Sequence, residues 1–132
     1  EIVTGGGRIG QEGYFVQPTM IAQTNRDMRV VREEIFGPVV AAVPFDDDDL
    51  DRIAALGNDT DYGLAAYVWT GNISTGHKMA KKLHAGLIMM NGGAGLDRAV
   101  PFGGYGLSGW GREYGREGIE NYFETKSVTI AL

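Results

Sequence analysis

Three short apolar runs alternate with two stretches of helical periodicity between residues 39 and 91, and this alternation limits the folds open to the chain. Residues 39–43 are nearly all apolar and stop at Pro44, as expected of a strand covered on both faces. Leu50, Ile53 and Leu56 then recur at helical spacing, behind the acidic run Asp46-Asp47-Asp48-Asp49 that suits a helix N-terminus and ahead of Gly57 and Asn58 as a stop. Residues 65–70, with Tyr67, Val68 and Trp69, read as a second strand. Met79, Ala80 and Leu83 mark one buried face of a second helix, with Ser74 or Thr75 as its cap and Gly86 as its stop. Residues 87–91 are a third apolar strand. Strand, helix, strand, helix, strand at this spacing predicts an α/β fold: a largely parallel sheet with a β-α-β-α-β core and right-handed crossovers. Ligands of such sheets gather at the carboxyl edge, where Thr70 and Asn91 end their strands.

The flanks are less regular. Residues 1–4 are β-prone and end at Gly5-Gly6-Gly7. A glycine triplet cradles phosphate when it joins a strand to a helix N-terminus, but residues 8–13 lack helical periodicity and a flexible turn is expected. Residues 13–21 read as extended chain, with Pro18 marking an edge or a bend. Asn25 or Asp27 is placed to cap a short helix carrying Met28, Val31 and Arg32.

After Asn91 the sequence turns glycine-rich. The run Pro101-Phe102-Gly103-Gly104-Tyr105-Gly106-Leu107-Ser108-Gly109-Trp110-Gly111-Arg112-Glu113 is too aromatic for a solvated linker, so it should pack against something, either as an active-site loop or as a structural Ω-loop. Residues 112–123 read as a helix weakened by Gly115 and Gly118. Residues 125–132 alternate well enough for a final edge strand that could join a partner subunit.

Composition removes several function classes. A net charge of -5 and no Lys/Arg cluster argue against a nucleic-acid surface. No run approaches the ~18 apolar residues of a membrane span, and no signal-peptide pattern opens the chain. With zero cysteine there is no disulfide, no thiolate zinc site and no cysteine nucleophile, a composition compatible with the cytoplasm, the expected compartment. The acidic run lacks the alternating ligands and central glycine of a calcium loop, and His77 and His84 lie two helical turns apart, so no metal site is expected. The 21 glycines in 132 residues, and a start at Glu1 directly into an extended segment, suggest a piece of a longer protein.

One stretch joins these elements to chemistry: Glu33-Glu34-Ile35-Phe36-Gly37-Pro38-Val39-Val40. Pro38 biases Gly37 away from helical angles, so a helix from Met28 should stop here and present a carboxylate and an aromatic ring at the mouth of a strand. On pattern alone a solvated carboxylate pair beside two core residues is the simpler reading.

The order of the motifs points further. Glu33-Glu34-Ile35-Phe36-Gly37-Pro38-Val39, Asn58 with Tyr62-Gly63-Leu64, Ala85-Gly86 with Asn91, and Pro101-Phe102-Gly103-Gly104 with Ser108-Gly109 and Gly111-Arg112-Glu113 resemble the C-terminal part of NAD(P)-dependent aldehyde dehydrogenases. Gly13-Tyr14-Phe15-Val16-Gln17-Pro18-Thr19 is similar to a segment that family places just upstream, so the resemblance covers essentially the whole chain.

The resemblance implies residues 1–124 as the C-terminal portion of a catalytic domain and residues 125–132 as an oligomerisation strand shared between subunits of a homo-oligomer. It implies that Glu34 accepts hydrogen bonds from the ribose beside the nicotinamide of NAD or NADP and that Phe36 packs along that ribose and ring. Phe102 and Leu96 would line the pocket of a small-molecule aldehyde, and Asn91 would be structural. Gly106 stands where many members have lysine and Leu96 where some have an aromatic, which leaves the aldehyde open. The nucleophilic cysteine, the general-base glutamate and the first dinucleotide-binding domain would lie upstream of Glu1, so the isolated chain is expected to be inactive. A standalone, non-catalytic folding or oligomerisation module is the alternative.

Overall fold

The computed structural model describes residues 1–46, 48–93, 95 and 97–132, and falls into two compact units, Glu1–Asp48 and Asp49–Leu132. The elements in chain order are β1 (Ile2–Thr4), β2 (Thr19–Ile21), α1 (Arg29–Arg32), β3 (Val39–Ala41), α2 (Leu50–Gly57), β4 (Tyr62–Gly63), β5 (Ala65–Val68), α3 (Ile73–Lys82), β6 (Leu87–Met90), β7 (Tyr105–Gly106) and α4 (Gly115–Glu120).

In the first unit, β2 is the middle strand, antiparallel to β1 and parallel to β3. Pro18 precedes β2 by one residue, so its missing N–H removes no ladder bond and the strand is central, not the edge that proline suggested. Two threonines organise the interior: Thr19 Oγ1 accepts from Gly6 N at 2.8 Å and donates to Gln17 O at 2.7 Å, and Thr24 Oγ1 donates to Ala42 O at 2.8 Å. Both are buried and both are hydrogen-bonded, as burial of a hydroxyl requires. β3 is covered on one face only: Val39 and Ala41 are half-buried while Val40 is 62% exposed, against the expectation of two covered faces.

Helix α1 is a single turn and ends at Glu33, four residues before Gly37. Met28 is its N-cap and offers no side-chain acceptor; Asn25 instead accepts from Asp27 N at 3.0 Å, closing the turn ahead of the helix. With no buried residue and no cap, nothing sustains the helix to the Gly-Pro break.

In the second unit the helix ends are tied by side chains. Asp49 caps α2 by accepting from Asp51 N at 2.9 Å, so the acidic run does serve a helix start, although Asp47 lies outside the described residues. Asn72, not Ser74 or Thr75, caps α3: its Oδ1 accepts from Ser74 N at 2.9 Å and Thr75 N at 3.2 Å, an arrangement worth about 1 kcal/mol. At the other ends of these helices, Asn58 Nδ2 donates to Lys82 O and Asn58 Oδ1 accepts from His84 N, both at 2.8 Å. Lys82 pairs with Asp51, and the buried apolar residues Ala54 and Met79 belong to this helix pair. β5 and β6 run parallel in register from Ala65–Leu87 to Val68–Met90, connected through α3, and β4 pairs antiparallel with β7.

The fold is thus α/β, and all five elements of the expected core form in order. The sheets are small and mixed: β3 draws its partner from residues 19–21, and the Gly-rich loop supplies β7 as a partner for β4. Two further expectations are corrected. The helix expected over residues 112–123 is the shorter α4, because its N-cap Tyr114 takes φ of 57° and its first residue Gly115 φ of 59°, so no right-handed helix runs back through them to residue 112. Residues 124–132 form no strand here, since a strand needs a facing row of donors and acceptors and no described segment supplies one.

Among the described residues no helix is long and apolar enough to cross a membrane. The accessible surface is 10636 Å². Two separately folded units of this combined 14.2 kDa mass would expose roughly 8,000 Å². Much apolar surface therefore lacks a cover.

Candidate functional site

Residues 33–38 occupy an extended segment between α1 and β3 in the first unit. Gly37 N donates to Ile35 O at 2.9 Å and Val39 N to Gly37 O at 2.8 Å, two successive tight turns, and Thr19 N anchors the segment by donating to Pro38 O at 2.8 Å. The two adjacent glutamates meet different fates. Glu33 is held by Arg29 through Nε–Oε1 at 2.9 Å and Nη2–Oε2 at 2.8 Å, a bidentate pair one turn apart. Glu34 is exposed and its carboxylate makes no hydrogen bond or ion pair to another described residue. Phe36 is 94% exposed. An acceptor-only group and an exposed aromatic face thus stand two residues apart, the carboxylate without a partner among the described residues.

Hydrogen bonding from Arg29, and then its positive charge, hold the Glu33 carboxyl below the usual carboxylate range and raise the Arg29 guanidinium above its ordinary value. The folded state therefore favours ionised Glu33. That preference is fully present above the ordinary glutamate range and is lost as pH falls through the lowered value. Both side chains are largely in solvent, so the effect on stability is small. Carbon-detected NMR titration should place the Glu33 midpoint below that of a free glutamate, and Arg29→Met should return it upward; an unmoved midpoint in that variant would contradict the pairing.

The second candidate region is the 101–113 loop of the other unit. It is closed by a reciprocal backbone pair, Phe102 N to Glu113 O and Glu113 N to Phe102 O, both 2.7 Å. Its middle is tied to the start of β5 through β4–β7, through Leu107 N to Asp61 O at 2.8 Å, and through Gly63 N to Ser108 Oγ at 3.0 Å. Phe102 is half-buried and borders an open cleft of about 930 Å³ together with Arg112, Tyr114, Ile119 and Tyr122. Leu96, the other expected pocket residue, lies outside the described residues. The expectation that the loop aromatics pack holds for Phe102 and fails for Trp110, which is 95% exposed.

Asn91 has a structural part. It sits at φ 53°, its Nδ2 donates to Thr70 O and its Oδ1 accepts from Thr70 N, both 2.8 Å, so its side chain prolongs the β5–β6 ladder by one rung. Sequence reasoning missed three contributors to this region: the Asn72 cap, the packing of Gly86 against Gly103, and the contacts of Arg112. An asparagine two residues ahead of Ser74 was a readable signal for the first; the other two depend on contacts distant in sequence. His77 and His84 are both exposed, and no cluster of three or more His, Asp or Glu among the described residues could hold a metal ion.

Comparison with known proteins follows the same residues. A family model described as the aldehyde dehydrogenase family matches residues 1–128. The mitochondrial benzaldehyde dehydrogenase of Antirrhinum majus is 43% identical over 129 residues, which are 98% of this chain and 24% of that protein. An aldehyde dehydrogenase of Enchytraeus buchholzi is 46% identical over 126 residues, 96% of this chain and 25% of that one. Among solved structures, the NAD+ complex of an aldehyde dehydrogenase from Bacillus cereus superposes with a TM-score of 0.91 at 48% identity, covering 97% of this chain and 26% of the other. A Mycobacterium tuberculosis aldehyde dehydrogenase complexed with NAD+ gives a TM-score of 0.89 at 42% identity, covering 98% and 27%. The chain spans about a quarter of the length of the curated relatives it matches.

Proposed function

Because this chain belongs to the aldehyde dehydrogenase family, we propose that it is the C-terminal part of an NAD- or NADP-dependent enzyme oxidising an aldehyde to a carboxylic acid through a cysteine thioester. Residues 1–124 are the end of the catalytic domain, and residues 125–132, which pair with no described segment of this chain, become a strand on joining a second subunit of a homo-oligomer. The observation that carries this reading is that Glu34 and Phe36 stand exposed on one short segment of a chain matched to the family over residues 1–128.

These residues fit the cofactor. The Glu34 carboxylate accepts from two vicinal ribose hydroxyls, and the Phe36 ring limits where the neighbouring nicotinamide can lie. The bound cofactor supplies the hydride acceptor. What this chain does is orient: Glu34 and Phe36 hold the ribose and ring of the cofactor, because hydride transfer demands close alignment, and Phe102 and Leu96 are the residues we assign to the aldehyde pocket. The nucleophile comes from another part of the protein, as this chain has no cysteine, and the family resemblance assigns the general-base glutamate there too. The uncovered surface supports the same reading, since a quarter of an enzyme leaves the faces that met the remainder exposed.

The test compares this chain with the same chain joined to its upstream reading frame. The longer protein should form NADH or NADPH with aldehyde, while the chain alone should neither turn over nor bind the cofactor measurably by calorimetry. Turnover by the chain alone, or an upstream sequence without a cysteine nucleophile, overturns the proposal.

A second reading, a non-catalytic oligomerisation module, is favoured by one feature: Tyr122, Phe123, Val128 and Ile130 are all at least 70% exposed. Analytical ultracentrifugation decides it, since a strictly monomeric chain removes the assembly role.

A further inference from the structure

A loop with five glycines in thirteen residues starts with a large conformational entropy to lose, so something must hold it if Phe102 is to keep one position. Backbone pairing closes its ends but leaves residues 104–111 tied mainly through β4. The remaining restraint is Arg112. Its Nη1 donates to Gly104 O at 2.9 Å and to Gly111 O at 2.8 Å, with Trp110 O further off at 3.5 Å. Its guanidinium carbon lies 5.4 Å from the centroid of the Tyr105 ring, within cation–π reach. Its own carbonyl accepts from Asn121 Nδ2 at 2.8 Å, tying it to the end of α4. One side chain therefore bridges the first and last thirds of the loop, and its neighbour Glu113 is the residue paired with Phe102. Gly103 shows how closely the arrangement is packed, because a Cβ there would lie 2.9 Å from Arg112 Nη1 and against the carbonyl of Gly111.

We propose that Arg112 is a positioning residue: by gathering the Gly104 and Gly111 carbonyls over the Tyr105 ring it holds the 102–113 loop so that Phe102 keeps its place at the substrate pocket. The part concerning substrate rests on the dehydrogenase reading; the part concerning the loop does not. Arg112 is assigned no contact with the reacting groups; it acts through Phe102.

Two measurements test the two parts. The first is amide hydrogen exchange on this chain. Arg112→Met, which keeps the alkyl stem and removes the donors, should speed exchange at Phe102 and Glu113 at least tenfold while the β6 amides stay unchanged; Arg112→Lys, which restores one cationic donor, should recover most of the protection. Unchanged exchange in Arg112→Met, or no recovery in Arg112→Lys, overturns the loop role. If Arg112→Met unfolds the whole unit, Tyr105→Leu decides: selective acceleration at Phe102 and Glu113 supports the role, and no acceleration overturns it.

The second is a kinetic cycle in the longer dehydrogenase. Arg112→Met should raise the aldehyde KM about tenfold with the cofactor KM unchanged, and the same change made in Phe102→Ala should add less than twofold. Additive effects overturn action through Phe102. Should Phe102→Ala itself move no kinetic parameter, the substrate role of Phe102 falls, while the exchange result still stands for or against Arg112 as the restraint on the loop.

Discussion

Gly86→Ala is expected to cost the Asp49–Leu132 unit more than about 3 kcal/mol, enough to unfold it or to expel the 101–113 loop. A Cβ at this position would coincide with the Gly103 carbonyl oxygen, with Gly103 C at 2.8 Å and Gly104 Cα at 3.5 Å behind it. All three obstacles are backbone, so no rotamer change relieves the contact. Nor can Gly86 retreat, because its N–H donates to Gly63 O at 3.0 Å at the head of the β5–β6 pairing. Gly86 is not among the glycines with positive φ, so the expected loss is steric rather than conformational. Domain stabilities are only about 5–15 kcal/mol, and a unit whose buried apolar residues are Ala54 and Met79 has little reserve. Urea unfolding followed by tryptophan fluorescence, with Trp69 and Trp110 as reporters, checks this; a midpoint equal to that of the unmodified chain would refute the packing described.

The other large effect is expected at the cofactor. In the longer dehydrogenase, Glu34→Gln should slow hydride transfer by about 10- to 100-fold, or roughly 1.4–2.7 kcal/mol of transition-state stabilisation. The amide keeps the side-chain volume but gives up the charge and one of the two oxygen acceptors that the proposed function assigns to the ribose. Glu33→Gln is the internal control and should change the rate less than about twofold, because that carboxylate is already occupied by Arg29 at 2.8–2.9 Å. Single-turnover kinetics with deuterated aldehyde separate the hydride step from acylation and product release. Glu34→Gln kinetics unchanged across aldehydes, or a larger loss from Glu33→Gln, would assign the ribose contact elsewhere.

The contrast between these two glutamates shows how far the residues alone could be read. Adjacent in sequence and identical in chemistry, they are separable by pattern only through resemblance to a family. The structure separates them by a physical event, the capture of Glu33 by a guanidinium four residues away. Element order was legible throughout residues 39–91, because apolar spacing and breakers are local signals. Element ends were less so. The α3 cap was expected at Ser74 or Thr75, both good cap residues, but Asn72 lies two positions ahead of Ser74 and reaches two backbone donors at once. The start of α4 was placed too early because the positive φ of Tyr114 leaves no mark on composition.

The sequence by itself determined the five core elements between residues 39 and 91 and their order, the exclusion of cysteine chemistry within the chain, and the family to which the motifs belong. Those outcomes depend on residues within a turn or two of one another. Only the tertiary structure decided which strands pair, how the two adjacent glutamates differ, which of the 21 glycines have backbone where a side chain would go, and what contacts hold the loop that carries Phe102. Those depend on contacts such as Gly63 with Ser108, 45 positions apart, or Gly86 with Gly103. Local preference cannot specify them, because the free energy of such a contact exists only after the intervening chain has closed upon itself.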